Sequence, residues 1–352
     1  MTDTRPPHLA DLGAELARHG ALPVHAQRVL RRWLNALPQD GGKRRPEDFL
    51  PASLRAALPA FEARLAGLAT LRSSHPGEDG SARLLVALAD GQTVESVLLP
   101  RDGLCVSTQV GCAVGCVFCM TGKDGLLRQL GGAEIAAQVA LARTLRPVKK
   151  VVFMGEPAHN LDAVMEAIEA LGTLGGIGHK NLVFSTVGDR RAFERLAAGP
   201  VRPALALSLH STDAQRRAAL LPRAPRIDPD ELVALGDAYA RSSGYPMQVQ
   251  WTLIQGLNDG ADELDGLVAL LRGRCAVLNM IPYNRVDGLD FARPSWERAA
   301  EIARTLHRRG VLTKLRRSAG QDVDAGCGQL RSRENDAAAR RRVPIRALSP
   351  SA

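Results

Sequence analysis

The chain has 352 residues, of which 45% are hydrophobic but only 4% aromatic, enough for one large domain with a smaller one beside it. No run approaches the roughly 18 apolar residues of a membrane span, and Met1-Thr-Asp-Thr-Arg-Pro-Pro7 lacks the apolar stretch of a secretory signal, so a cytoplasmic protein with no membrane partner is expected. The formal charge of +9 points towards nucleic acid, a signal weakened because only six of the 46 basic residues are lysine, a skew that coding bias alone can produce.

Helical spacing of apolar residues predicts helices over His8–His19 and Val24–Leu37, the second with Val29, Leu30, Trp33 and Leu34 on one side and Arg28, Arg31 and Arg32 on the other. A polar face of this kind is usually solvated, and gripping RNA is the alternative. After Asp40–Pro46, two shorter helices are expected to end near Leu71, making 1–72 a helical unit and a candidate RNA-binding domain. Residues 73–103 read as a β-hairpin linker, with strands at Arg83–Leu88 and Thr93–Leu99 joined through Asp90-Gly91. Beyond it, short apolar strands alternate with helices. Strands are predicted at Leu104–Thr108, Lys150–Met154, Asn181–Ser185, Ala204–Leu209, Gln248–Leu253, Ala276–Ile281 and Leu312–Leu315. Intervening helices include Ala133–Leu145, Leu161–Leu171, Asp230–Arg241 and Ala261–Leu271. The alternation predicts an α/β fold with parallel strands, a partial (β/α)6 barrel over 104–330. The missing G-x-G-x-x-G after the first strand weakens a Rossmann alternative. Residues 331–352 are expected to be a disordered tail.

Cys112-Ala-Val-Gly-Cys116-Val-Phe-Cys119 places three thiols at C-x3-C-x2-C spacing with no fourth beside them. A closed structural zinc site takes four ligands, whereas a [4Fe–4S] cluster held by three thiolates keeps one iron open. A zinc knuckle or chance cysteines are the bland alternatives. Gly111 and Gly115 would let the backbone curl, and Phe118 would shield the group. Other polar residues fall at carboxyl ends of predicted strands: Gly155-Glu156-Pro157, Ser185-Thr186, Ser208-Leu209-His210 and Pro282-Tyr283-Asn284. In a β/α barrel that is where chemistry collects.

The cysteine spacing resembles the signature of radical S-adenosylmethionine (SAM) enzymes. Leu104–Lys123, Val152–Pro157, Leu205–His210, Leu278–Asn284 and Asp322–Leu330 together resemble, in order and spacing, the RlmN/Cfr family of radical SAM RNA methyltransferases. The resemblance implies one [4Fe–4S] cluster on Cys112, Cys116 and Cys119. It implies S-adenosyl-L-methionine held by Gly155, Glu156, Ser185, Ser208, Leu209, His210 and Asn284. Cys327 would carry the methyl group, Cys105 would be the second catalytic cysteine, and Glu95 a proton acceptor. Methylation of carbon 2 or carbon 8 of an adenine in structured RNA (rRNA or tRNA) would follow, in a monomer fed electrons by a flavodoxin-type reductant. The chain departs from the family where Met154-Gly-Glu-Pro157 stands for a longer glycine-rich run, at Met120 where serine is common, and at Ser318-Ala319-Gly320. The rivals are a radical SAM enzyme with another substrate and a non-catalytic iron–sulfur RNA-binding protein.

Overall fold

The structure is a computed structural model that describes residues 5–41, 45–123, 125–284 and 289–316. Helices α1 (Leu9–Arg18), α2 (Pro23–Leu34), α3 (Pro46–Phe49) and α4 (Ala52–Gly67) come first. The expected pair of short helices is corrected: α3 has four residues and α4 sixteen. The chain also leaves α4 directly into a strand that periodicity did not reveal, β1 (Ala69–Pro76). Its burial alternates only weakly because it is an edge strand, with seven of eight positions open or half-open.

The hairpin forms as expected, β2 (Ala82–Leu88) and β3 (Thr93–Leu99), turning through Gly91 at φ +82°. Then follow β4 (Gly103–Ser107), β5 (Gln109–Gly111), β6 (Leu126–Gln129), α5 (Gly132–Leu145), β7 (Lys150–Met154), α6 (Leu161–Thr173), β8 (Leu182–Thr186), α7 (Arg190–Ala198), β9 (Ala204–Ser208), α8 (Ala214–Leu220), α9 (Pro229–Ser243), β10 (Met247–Leu253), α10 (Ala261–Leu271), β11 (Ala276–Pro282), α11 (Trp296–Arg308) and β12 (Thr313–Leu315). One ten-stranded sheet runs β1-β2-β3-β4-β7-β8-β9-β10-β11-β12. Its first three pairings, β1·β2, β2·β3 and β3·β4, are antiparallel; from β4 to β12 every neighbour is parallel. Strand order follows chain order without reversal, so the sheet is singly wound, as in an open barrel, and not a doubly wound sheet.

Register separates two faces. Val106, Phe153, Phe184 and Leu205 are lateral neighbours, as are Leu207, Val249 and Leu278. All belong to the main apolar cluster, which also takes in α1, α2, α4, α5, α6 and α9–α11. On the other face Val152, Val183, Ala204 and Ala206 form a small separate cluster. Small side chains there leave the concave surface of the sheet open for polar groups nearer the carboxyl ends.

Buried polar ties hold the loops at that end. Glu263 on α10 is fully buried; it accepts hydrogen bonds from Ser211 Oγ, from Thr212 N (2.7 Å) and Thr212 Oγ1 (2.6 Å), and from Arg216 Nη1 (2.5 Å). It thereby fixes the turn after β9. Glu263→Ala, which strands those donors, should lower the unfolding free energy in denaturant titrations by about 2–4 kcal/mol. Glu301→Ala, which removes only an exposed pair with Arg298 (2.9 Å), should stay within about 0.5 kcal/mol of the parent.

Candidate active site

The three clustered cysteines lie on the loop between β5 and β6, a short antiparallel ribbon outside the main sheet that alternation could not reveal because each strand is so short. Gly111 opens the loop at φ +84°, where a Cβ would stand 2.0 Å from the carbonyl oxygen of Gly125. Only glycine fits. Cys112 N donates to that same oxygen (3.1 Å), and Cys119 N to Cys116 O (3.0 Å). The loop rests on the end of α8: Val117 N donates to Leu220 O and Arg223 N to Val114 O. Cys112 is buried, Cys116 and Cys119 half-buried, and all three thiols are free. Burial raises the pKa of each, most at Cys116, where the charges of Cys119 and Cys112 add to it. All three sit within eight residues on one loop. Among the described residues, however, no three His, Cys, Asp or Glu converge tightly enough for a single metal ion. Three free thiols on one short loop suit a cluster, which presents a different iron to each sulfur.

Glu156 follows β7 and is buried. Its Oε1 accepts from Thr186 Oγ1 (2.6 Å) and Ala158 N (3.2 Å), and its Oε2 from Val187 N (2.8 Å). Its own N–H donates to Gln109 Oε1 (2.9 Å). One residue thus joins β7, the end of β8 and the ribbon. The side chain is turned inward, so it is the Gly155 backbone, at φ +93° and exposed, that faces the open side. Desolvation outweighs the three donors and pushes the Glu156 pKa up to about 7.

Ser185 and Ser208, both half-buried, end β8 and β9 on the concave face, and Leu209 is buried behind them. His210 takes a left-handed φ of +62°. Asn258 holds it there, donating to His210 O (2.8 Å) and Thr252 O (2.9 Å) while accepting from Ile254 N (2.8 Å). Thr252 N donates to His210 Nδ1 (3.0 Å), which leaves the ring proton on Nε2. Burial, then the charge of Arg217, lowers the His210 pKa to about 3, so the ring is neutral. Phe118 of the cysteine loop meets it edge-on at 4.9 Å. Asn284, half-buried, follows β11.

Cys105 in β4 is half-buried and shares the concave face with its lateral neighbours Val97 and Val152. Two residues from Val97 on β3, Glu95 is not on a solvated outer face. Its side chain is 8% exposed and lies 3.5 Å from Arg83 Nη1, while Ser107 Oγ donates to its carbonyl (2.7 Å). Cys327 and the tail from 331 lie outside the described residues. Sequence reasoning missed Gln109, Arg217 and Asn258, which bind neighbouring backbone and carry no spacing signal, while Thr186 of the expected Ser185-Thr186 pair is the partner of Glu156.

A model of the Radical SAM superfamily matches residues 106–268, from β4 into α10. A radical SAM methyltransferase from Sphaerobacter thermophilus superposes with a TM-score of 0.78 at 33% identity, covering 92% of this chain and 97% of that one. The chain belongs to the radical SAM methyltransferase family. Proteins named "Probable RNA methyltransferase" are similar over nearly their whole length. That of Leptothrix cholodnii is 70% identical over 95% of this chain and 96% of its own. That of Methylibium petroleiphilum is 73% identical over 92% and 93%, and that of Pseudomonas aeruginosa 62% over 96% and 98%. As a radical SAM protein the chain has its matched segment where the loops converge. No helix among the described residues is long and apolar enough to cross a membrane.

The raised Glu156 pKa has a measurable sign. Folded protein keeps this proton up to about pH 7, whereas the unfolded chain releases it near 4.5. The stability it contributes is complete below the lower value and lost as pH rises through the upper one. Melting of metal-free protein between pH 4.5 and 7.5 should therefore show a downward slope that Glu156→Gln flattens. Equal slopes in both proteins would show that Glu156 does not carry the effect.

Proposed function

We propose that the protein methylates a carbon atom of adenine, carbon 2 or carbon 8, in structured rRNA or tRNA through a methyl-cysteine intermediate, as in the RlmN/Cfr family. The observation that carries the reading is the common location of the three thiols, the Gly155–Glu156 turn, Ser185, Ser208, His210 and Asn284 at the carboxyl ends of successive parallel strands, with Cys105 and Glu95 on the adjoining concave face. The names of the full-length relatives favour RNA as substrate. Five free cysteines among the described residues fit a reducing, cytoplasmic setting, where a flavodoxin-type reductant is the natural electron donor for a monomeric enzyme.

Cys112, Cys116 and Cys119 would hold the [4Fe–4S] cluster. S-adenosylmethionine would lie along the strand ends, its amino group at the Gly155–Glu156 backbone and its remainder along Ser185, Ser208, Leu209, His210 and Asn284. Bound there, the pair supplies a methyl group and a carbon-centred radical, the means of reaching a ring carbon that has no lone pair to attack a methyl donor. Neutral His210 and Phe118 close one side against water. Cys327 carries the methyl carbon on its sulfur and, once that carbon is joined to the base, links protein to RNA. Glu95, kept from solvent beside Arg83, accepts the proton lost from the ring carbon. The Cys105 thiolate then attacks Cys327 Sγ: the sulfur–sulfur bond forms, the sulfur–carbon bond breaks, and the departing carbon takes up a proton to become the methyl group.

The roles of the two cysteines are separable. Cys327→Ala should yield neither methylated protein nor methylated RNA. Cys105→Ala should accumulate RNA bound to protein, seen as a nuclease-sensitive shift on a denaturing gel. Mass spectrometry of RNA digests from a deletion strain should reveal a missing methyladenosine and name the nucleotide. Normal turnover of Cys105→Ala, or two inactive variants without adduct, would refute the assignment.

A further inference from the structure

Arg217 is one of the most buried cations in the protein, 4% exposed, on α8 directly beneath the cysteine loop. Its Nη2 donates to the carbonyls of Val187 and, at 3.4 Å, of Ser208, at the ends of β8 and β9. Its Nε is buried without a hydrogen-bond partner, and no carboxylate among the described residues lies within 4.0 Å of the guanidinium. Two other buried charges meet an opposite one: Glu134 takes two 2.9 Å bonds from Arg128, and Glu263 one from Arg216. An isolated buried cation costs several kcal/mol unless an anion reaches it. Carbonyl dipoles supply part of that compensation, and the unused N–H marks where the rest is missing.

The surroundings name the anion. One turn on from Arg217, Leu220 O accepts from Val117 N, the residue after Cys116. Burial lowers the Arg217 pKa only to about 10, so it stays charged, and the acidic groups placed to act on it are Cys116 and Glu156. Glu156 is committed to Thr186, Ala158 and Val187. That leaves the sulfur of Cys116.

We infer that Arg217 is a positioning residue that supplies the counter-charge to the cluster-ligating Cys116 thiolate and thereby sets the reduction potential of the iron–sulfur centre. This rests on the cluster reading above. A nearby fixed positive charge favours the more negative, reduced state of a cluster, since net charge and hydrogen bonding at the sulfurs are what tune its potential. The residue touches neither SAM nor substrate in this role.

The test uses full-length protein, reconstituted anaerobically, as wild type, Arg217→Lys and Arg217→Met. Iron content is measured first, then the midpoint potential by redox titration followed by electron paramagnetic resonance, without and then with S-adenosylmethionine. Without it, Arg217→Lys should titrate close to wild type. Arg217→Met should show a reduced-to-oxidised ratio about tenfold lower at a given potential, equivalent to ~59 mV for one electron. If Arg217→Met binds little iron while Arg217→Lys binds four, the same counter-charge is needed for assembly, and the inference stands. Loss of iron in both variants would assign Arg217 to shape and overturn it. So would an Arg217→Met potential equal to wild type without S-adenosylmethionine; if affinity for that cofactor then falls, the arginine serves its carboxylate instead. Absence of a four-iron centre from wild type would sink the cluster reading itself, independently of any variant.

Discussion

The site depends on a carboxylate that has been taken out of water. Glu156 is surrounded by Thr186, Val187, Ala158 and Gln109, which belong to three separate stretches of chain. A buried carboxyl left without its three donors would be costly, and Gln109 Oε1 adds a fourth tie by accepting from the Glu156 N–H. Together these ties align the end of β7 with the end of β8 and set the ribbon that bears the cysteines. Asn160 reinforces the same junction, donating to Thr108 O (2.8 Å) and Leu130 O (2.7 Å) on either side of the loop. The Met154-Gly-Glu-Pro157 turn is thus held on both sides.

The sheet divides its work between two faces. Helix-facing positions carry Phe153, Phe184, Leu205, Trp251 and Met280, all fully buried in the main cluster, and supply most of the apolar burial that stabilises the fold. Concave positions of β4, β8 and β9 carry Cys105, Val183, Ser185, Ala204, Ala206 and Ser208, and those of β10 and β11 add the polar Gln248, Gln250 and Asn279. Polar burial concentrates there and around it: Arg83 with Glu95, His210 with Thr252 and Asn258, and Arg217 beneath the cysteines. Such groups stabilise less than a packed core would. They define a place for charged and polar ligands.

The basic charge of the chain is only partly a surface property. Arg143 spends its guanidinium on Leu34 O, Asn35 Oδ1, Gly175 O and Val148 O, clamping the end of α2 to α5 and to the turn after α6. On α2, the residues that read as an RNA-facing stripe divide. Arg28 sits over the Phe49 ring at 5.7 Å and Arg32 donates to Pro38 O, while Arg31 is exposed. Arginine suits this clamping because its planar fork reaches several carbonyls at once, so net charge overstates the area available to RNA.

The alternating strand–helix plan and the positions of β4 and of β7 to β12 were legible in the sequence, because apolar runs of four to six residues punctuated by glycine and proline have few other solutions. So was the cysteine loop, since three thiols at fixed spacing are a local property. Only the tertiary structure decided the rest. Edge strand β1 is too exposed, and the strands of ribbon β5–β6 are too short, for their own patterns to declare them. Glu95 is buried because β2 brings Arg83 beside it, which its own strand does not announce. Arg217 is one arginine among many in the sequence; folding alone makes it a buried cation below the cysteines. Periodicity records which face of an element is apolar, whereas burial and charge pairing depend on what other segments bring to that face, and that information is not local.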